Sequence, residues 1–315
     1  MTDWPNHEAA WRAWQSAAAG PRMHHAWILA GKAGLGKHDF AVAAARNLVA
    51  EDGIPQPPRD HPDILTLTHL PKDKTEEKKR DEGKPYEVKR NIAVDQIRAM
   101  QQRLNTRPTL GSRRVIIIDP ADDMERPASN ALLKSLEEPP RGTFFLLVTH
   151  RPAGLLPTIR SRCRILRFPS LTDREIAEHL GSDISNEAAI ALAGGSLGAA
   201  QSFIDMKLAP VAIVMQRLVT EGDPSLALRS DLVAAIGARP NRERVQAVLE
   251  LARTTLARQV GNAIPEKRSA IIDAHSALVE LAAKAPTYNF DNGLLVGEIA
   301  SLLAGAGGAS EPVHG

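Results

Sequence analysis

The stretch GKAGLGKH, Gly31 to His38, has the spacing of a phosphate-binding loop: Gly31, four residues, then Gly36 and Lys37. In such a loop, backbone N–H groups and a helix N-terminus cradle phosphates. The lysine pairs with the terminal phosphates, and a following Ser or Thr hydroxyl holds Mg²⁺. His38 stands where that hydroxyl belongs. Magnesium prefers hard oxygen ligands in a tight octahedron, a demand that an imidazole nitrogen on a rigid ring meets poorly. The candidate nucleotide site is Gly31, Gly34, Gly36, Lys37 and His38, degenerate at its magnesium position.

A working site also needs an acidic pair after a buried strand. VIIIDPADD offers Asp119 on the metal side, but Pro120 takes the place of the carboxylate that would orient the attacking water. Proline cannot act as a base. Asp122 and Asp123 suit solvated turn positions or a helix cap. A third cluster, PTIRSRCRILRF, places Arg160, Arg162, Arg164 and Arg167 within eight positions. These are either surface ion-pair partners or a source of one arginine presented to a neighbouring subunit's nucleotide, a role that suits the planar, always charged guanidinium. Cys163 has no histidine beside it to form a nucleophile pair. It is expected to be small and largely buried, although its arginine neighbours would tend to lower the thiol pKa.

The surrounding pattern supplies the elements that must hold these residues. Ala26–Ala30 is a short apolar run leading directly into the glycine loop, and HDFAVAAARNLVA follows with helical spacing. Asp63–Leu70 alternates as a strand, while Val115–Asp119 and Thr143–His150 read as buried strands, with CRILRF a further one. ASNALLKSLEE is a helix stopped by Pro139 and Pro140. Strands separated by helices imply a parallel sheet covered on both faces. After Phe168 only helical segments follow, with Thr172 and Ser185 as N-cap candidates and breaks at Gly222-Asp223-Pro224, Arg239-Pro240, Pro265 and Pro286. The fold class is α/β followed by all-α, with boundaries at 1–168, 169–207 and 208–304 and a mobile tail over 305–315. Lys72–Arg90 carries eight basic and six acidic residues and almost nothing apolar, so it reads as a solvated or disordered insertion. Trp11 and Trp14 share a helical face and, with Trp4, suit packing better than base stacking.

Composition excludes several classes. At 315 residues, 43% hydrophobic and 24% charged, the chain can build sizeable cores, and a net charge of +2 gives no global attraction to nucleic acid or anionic lipid. A single cysteine forbids an internal disulfide and fits a reducing compartment. MTDWPNHEAAWRAWQ lacks the pattern of a secretory signal, and no apolar run approaches the ~18 residues a membrane span needs. A cytoplasmic location without membrane partners is expected.

Five segments carry a resemblance: HHAWILAGKAGLGK, HPDILTL, NALLKSLEEPP, TFFLLVTHRPAGLLPTIRSRC and GGSLGAAQSF. Together they resemble the delta-prime family of bacterial DNA polymerase III clamp-loader subunits, within the AAA+ superfamily, from about Arg22 to Phe203. The resemblance implies a RecA-like domain over 1–168, a small helical lid over 169–207 and a helical collar over 208–304 that joins a five-subunit ring. It implies that Arg162 of Ser161-Arg162-Cys163 is an arginine finger aimed at ATP in an adjacent tau/gamma motor subunit. The helix Asn130–Glu138 would help form that face. It further implies a non-hydrolysing stator that works with tau/gamma, delta, the sliding clamp and primer-template DNA.

The tau/gamma motors share the Ser-Arg-Cys motif but keep an intact P-loop, an acidic pair and a lid arginine, where this sequence has His38, Pro120 and Gly198. An active tau/gamma-like ATPase is the alternative reading. No cofactor is required under the first reading, although ATP, ADP or phosphate in the loop stays open. Both subunit types commonly carry four zinc-binding cysteines between the P-loop and the acidic strand. Here that interval has none, and His61 and His69 lack thiolate partners, so no zinc is expected.

Overall fold

Five short strands form one parallel sheet in the computed structural model, which describes residues 4–20, 23–181, 184–237, 240–284 and 292–307. In chain order the first half runs α1 (Glu8–Ala18), β1 (Ala26–Ala30), α2 (Lys37–Val49), β2 (Ile64–Leu67), α3 (Lys74–Asp81), α4 (Val94–Leu104), β3 (Arg114–Ile118), α5 (Arg126–Glu137), β4 (Thr143–Thr149), α6 (Pro157–Arg160) and β5 (Arg164–Arg167). The sheet order is β2-β3-β4-β1-β5, every pair parallel. Because neighbouring side chains on a strand point to opposite faces, each inner strand feeds two cores. Ile28, Ile116, Ile118, Phe145 and Leu147 pack with Ile97 and Leu132 of α4 and α5. Trp27, Leu29, Val115, Ile117, Leu146 and Val148 pack with Trp14, Phe40 and Leu48 of α1 and α2. β1 lies between β4 and β5, so the glycine loop leaves the carboxyl end of an inner strand, where open α/β sheets place their ligand crevices.

The charged insertion departs from the disordered reading. Asp73 caps α3 by accepting from the Thr75 and Glu76 amides at 2.8 and 3.0 Å. The buried Glu76 carboxylate accepts from Lys79 Nζ and the Glu87 amide, both at 2.7 Å. An antiparallel bridge between Pro71 and Val88 closes the base. The segment remains solvated outside but is folded, because each buried charge has a partner.

By contact the chain divides into two compact units, Met1–Ser170 and Leu171–Gly315. The second is helical throughout its described residues: α7 (Asp173–Leu180), α8 (Ile184–Leu192), α9 (Leu197–Asp205), α10 (Ala209–Glu221), α11 (Ala227–Ile236), α12 (Arg242–Asn262), α13 (Pro265–Lys284) and α14 (Asn292–Gly307). Thr172 caps α7 in a reciprocal box with Glu175. The expected cap at Ser185 is displaced, since α8 begins at Ile184. Leu232, Leu256, Leu278 and Leu303 are fully buried where α10 to α14 pack together. α14 continues through Gly307, past the expected end of the collar at 304, because Gly307 lies on the Val219 carbonyl and its own carbonyl accepts from Lys267 Nζ at 2.9 Å. The rest of the expected tail, 308–315, and the breaks at Arg239 and Pro286 lie outside the described residues. Among the described residues no single helix is long and apolar enough to cross a membrane.

Candidate functional site: a degenerate nucleotide loop and an arginine edge

The glycines of the loop are conformational necessities. A Cβ on Gly31 would meet the Phe168 carbonyl oxygen at 2.6 Å. Gly34 and Gly36 have φ of 71° and 68°, the left-handed region that side chains disfavour. Gly36 is the N-cap of α2, so Lys37 and His38 open that helix. The fold therefore builds the cradle that the spacing predicts.

The polar side chains that open α2 bond to the protein itself. Lys37 is only 3% exposed, and its ammonium donates to the loop's own Lys32 carbonyl at 2.5 Å. Burial lowers its pKa to about 8, with the charges of Asp119 and Asp122 opposing that shift. His38 donates from Nδ1 to Asp119 Oδ2 at 2.7 Å. That hydrogen bond raises the imidazole pKa against the opposing effect of burial. Pro120 follows directly, as the sequence states. The position that a hydroxyl and magnesium would share is thus occupied by an imidazole already bonded to the nearest carboxylate. These residues do not fit a magnesium nucleotide.

Asp122 is not the solvated turn residue its sequence context suggested. Its carboxylate accepts from the Thr149 hydroxyl and the His150 amide, both at 2.6 Å, and from the Arg151 amide at 3.2 Å. It clamps the end of β4, and with its lone pairs so committed it is poorly placed to replace the missing base. Asp123 faces His69, whose Nε2 lies 3.1 Å away. His150 sits in the same neighbourhood, its pKa lowered by burial and then by the Lys37 charge. His61 bonds to the Gln56 side chain at 2.8 Å and to the Asp63 amide at 3.0 Å. Among the described residues no group of three or more His, Cys, Asp or Glu side chains is arranged to hold a metal.

Sequence reasoning missed a strap over the loop. The Trp4 ring lies against Gly36, where an added Cβ would come within 2.2 Å of it. Trp4 Nε1 donates to Asp39 Oδ2 at 2.8 Å, and His7 Nε2 donates to the Leu35 carbonyl at 2.8 Å. His7 in turn packs edge-on against Phe40 and Phe168. The one available signal was Trp4, an aromatic three residues before His7 at the start of α1. Trp14 is fully buried, and both it and Trp11 meet Phe40, which agrees with a packing role. Also missed was Asp63, fully buried, which accepts from the Thr109 and Leu110 amides and pairs with Arg114 to fix the chain entering β2 and β3.

The arginine edge is differently built. Arg162 follows α6 and keeps 34% of its side chain exposed. Its Nη1 donates to the Thr158 carbonyl at 2.9 Å, and its Nη2 lies 2.5 Å from Glu137 Oε1. Among the described residues it is the one member of the arginine cluster in an ion pair; Arg160, Arg164 and Arg167 are exposed, and Arg164 lies over the Trp27 ring. Cys163 packs against the sheet core, and burial pushes its thiol up to about 12. The expected lowering by arginines does not occur, because desolvation of a thiolate outweighs charges that point to solvent. Gly198 is the second residue of α9, in the helical unit.

A parallel sheet in this order, with a glycine loop between β1 and α2 and helices following, defines a RecA-like P-loop fold. Residues 6–172 match the family described as DNA polymerase III, delta subunit, and the chain belongs to that family. It is 33% identical over 212 residues to the DNA polymerase III subunit delta′ of Pseudomonas aeruginosa, covering 61% of this chain and 58% of that protein. It is 30% identical over 246 residues to subunit tau of Escherichia coli, covering 72% of this chain and 36% of tau. A gamma subunit-related protein of Thermotoga maritima superposes with a TM-score of 0.55 at 17% identity, over 94% of this chain and 98% of that one. The resemblance to delta-prime subunits is borne out, while the chain spans about half the length of its delta′ relatives.

Proposed function

We propose that this chain is a non-hydrolysing, delta-prime-type subunit of the DNA polymerase III clamp loader, which lends Arg162 to the ATP site of an adjacent tau/gamma subunit. The observation that carries the first half is the 2.7 Å bond between His38 and Asp119, which closes the magnesium position. Lys37 turned onto its own loop, Pro120 in place of a base and Asp122 committed to β4 support the same reading. The second half rests on Arg162, a third exposed and held beside α6 by Thr158 and Glu137. A guanidinium there grips phosphate oxygens with its planar fork and stabilises the charge that develops as the phosphoryl group transfers.

In this reading residues 169–207 form a lid and 208–304 a collar that joins the ring. Tau/gamma and delta are the standing partners, and the sliding clamp and primer-template DNA the transient ones. The chain needs no cofactor of its own and works in the cytoplasm. The similarity to tau favours the rival reading of an active ATPase. Steady-state ATP hydrolysis by a reconstituted loader, with clamp and primed DNA, separates the two. Arg162→Ala is expected to abolish the stimulated rate and Lys37→Ala to leave it unchanged. Loss with Lys37→Ala in an assembled complex would instead establish this chain as a motor.

A further inference from the structure

Glu137 is the last residue of α5, immediately before the Glu138-Pro139-Pro140 stop. A carboxylate in the final turn of a helix opposes the macrodipole, whose C-terminal end is negative. Its position is therefore not explained by α5 itself. Its partner is Arg162, at 2.5 Å from Oε1. The platform beneath is rigid. Leu136 and Ser135 are buried, the Leu136 carbonyl accepts from His25 Nε2 at 2.8 Å, and Gln101 Nε2 reaches the Ala131 carbonyl and the Ser135 hydroxyl at 2.9 and 3.1 Å.

We infer that Glu137 is a positioning residue for Arg162, an inference that rests on the finger reading above. The guanidinium carries five N–H donors in a fixed plane. Thr158 O at 2.9 Å and Ser161 Oγ at 3.4 Å take donors from Nη1, and Glu137 forms an ion pair with Nη2. The Nε–H makes no hydrogen bond to the described residues of the protein and remains for an incoming anion. Held this way, the arginine gives up much of its rotamer freedom before the neighbouring phosphate arrives, so less is lost on capture. The carboxylate is 48% exposed, so the pair is screened and strains nothing when the phosphate joins it.

The test compares Arg162→Ala, Glu137→Ala, Glu137→Gln and the double variant Glu137→Ala/Arg162→Ala in the reconstituted loader, with assembly checked by size exclusion. Glu137→Ala is expected to lower kcat for clamp- and DNA-stimulated hydrolysis by about fivefold, with KM for ATP unchanged. Glu137→Gln, which keeps the acceptor oxygen, is expected to recover most of that loss. The double variant should match Arg162→Ala alone, since Glu137 acts only through the arginine. Loss with Arg162→Ala but none with Glu137→Ala would overturn the positioning role and leave the finger standing. A faster Glu137→Ala would also overturn it, marking the pair as a restraint. No loss with Arg162→Ala would overturn both readings.

Discussion

The nucleotide loop and the Arg162 edge both present cationic side chains that evolved chemistry could use on phosphate, yet they are solved in opposite ways. In the loop the charged groups that follow Gly36 bond within the protein: Lys37 to the Lys32 carbonyl, His38 to Asp119, and Asp39 to the Trp4 indole that covers Gly36. At the edge Arg162 is oriented by Thr158 and Glu137 but keeps donors facing solvent. A site that satisfies itself contributes to stability and offers little to a ligand. A site left partly unsatisfied, on a rigid helix end, offers its charge to another molecule.

The largest expected effect breaks the second half of this contrast. Arg162→Ala should reduce ATP turnover in the assembled loader by roughly 10³, while the isolated chain unfolds in urea within about 0.5 kcal/mol of wild type. A large loss of intrinsic stability would mean that the arginine is structural. Next, Trp4→Ala should lower the urea-unfolding free energy by about 1–2 kcal/mol, because it uncovers Gly36 and frees Asp39, and it should leave assembled turnover unaltered.

A smaller effect sharpens the account of the loop. By NMR, His38 should titrate above its ordinary value of 6.5, and Asp119→Asn should bring the midpoint back down. Because the folded pKa is raised, the pair's contribution is fully present below 6.5 and fades as pH rises through the folded midpoint. With half the imidazole exposed, that contribution should stay under about 1 kcal/mol. The smallest effect is a null one. His38→Thr restores the hydroxyl but not a base at Pro120, so the isolated chain should still show no magnesium-dependent hydrolysis. Measurable turnover would show that the loop is one residue from activity.

Much of the sheet was legible because its signals are local. AWILA before the glycines, VIIID and TFFLLVT became β1, β3 and β4 as unbroken apolar runs. The departures from the P-loop pattern at His38 and Pro120 were legible as well, since they are changes of residue type at defined spacing. The insertion was misjudged because its order comes from Asp73 capping α3 and from Glu76 meeting Glu87, a contact across the segment that composition does not record. Cys163 was misjudged in pKa for a related reason: its arginine neighbours are visible in sequence, but its burial is not.

The sequence alone therefore determined the P-loop scaffold and the residue types that replace its hydroxyl and second carboxylate, since each depends on residue type and spacing along the chain. The choice of Arg162 within its cluster came instead from the family resemblance. Only the tertiary structure decided which partners these side chains meet. Trp4 reaches Gly36, His38 reaches Asp119, and Glu137 reaches Arg162 across 32, 81 and 25 positions, respectively. Partners that distant are chosen by how the strands and helices pack, not by any preference that a local stretch of chain expresses.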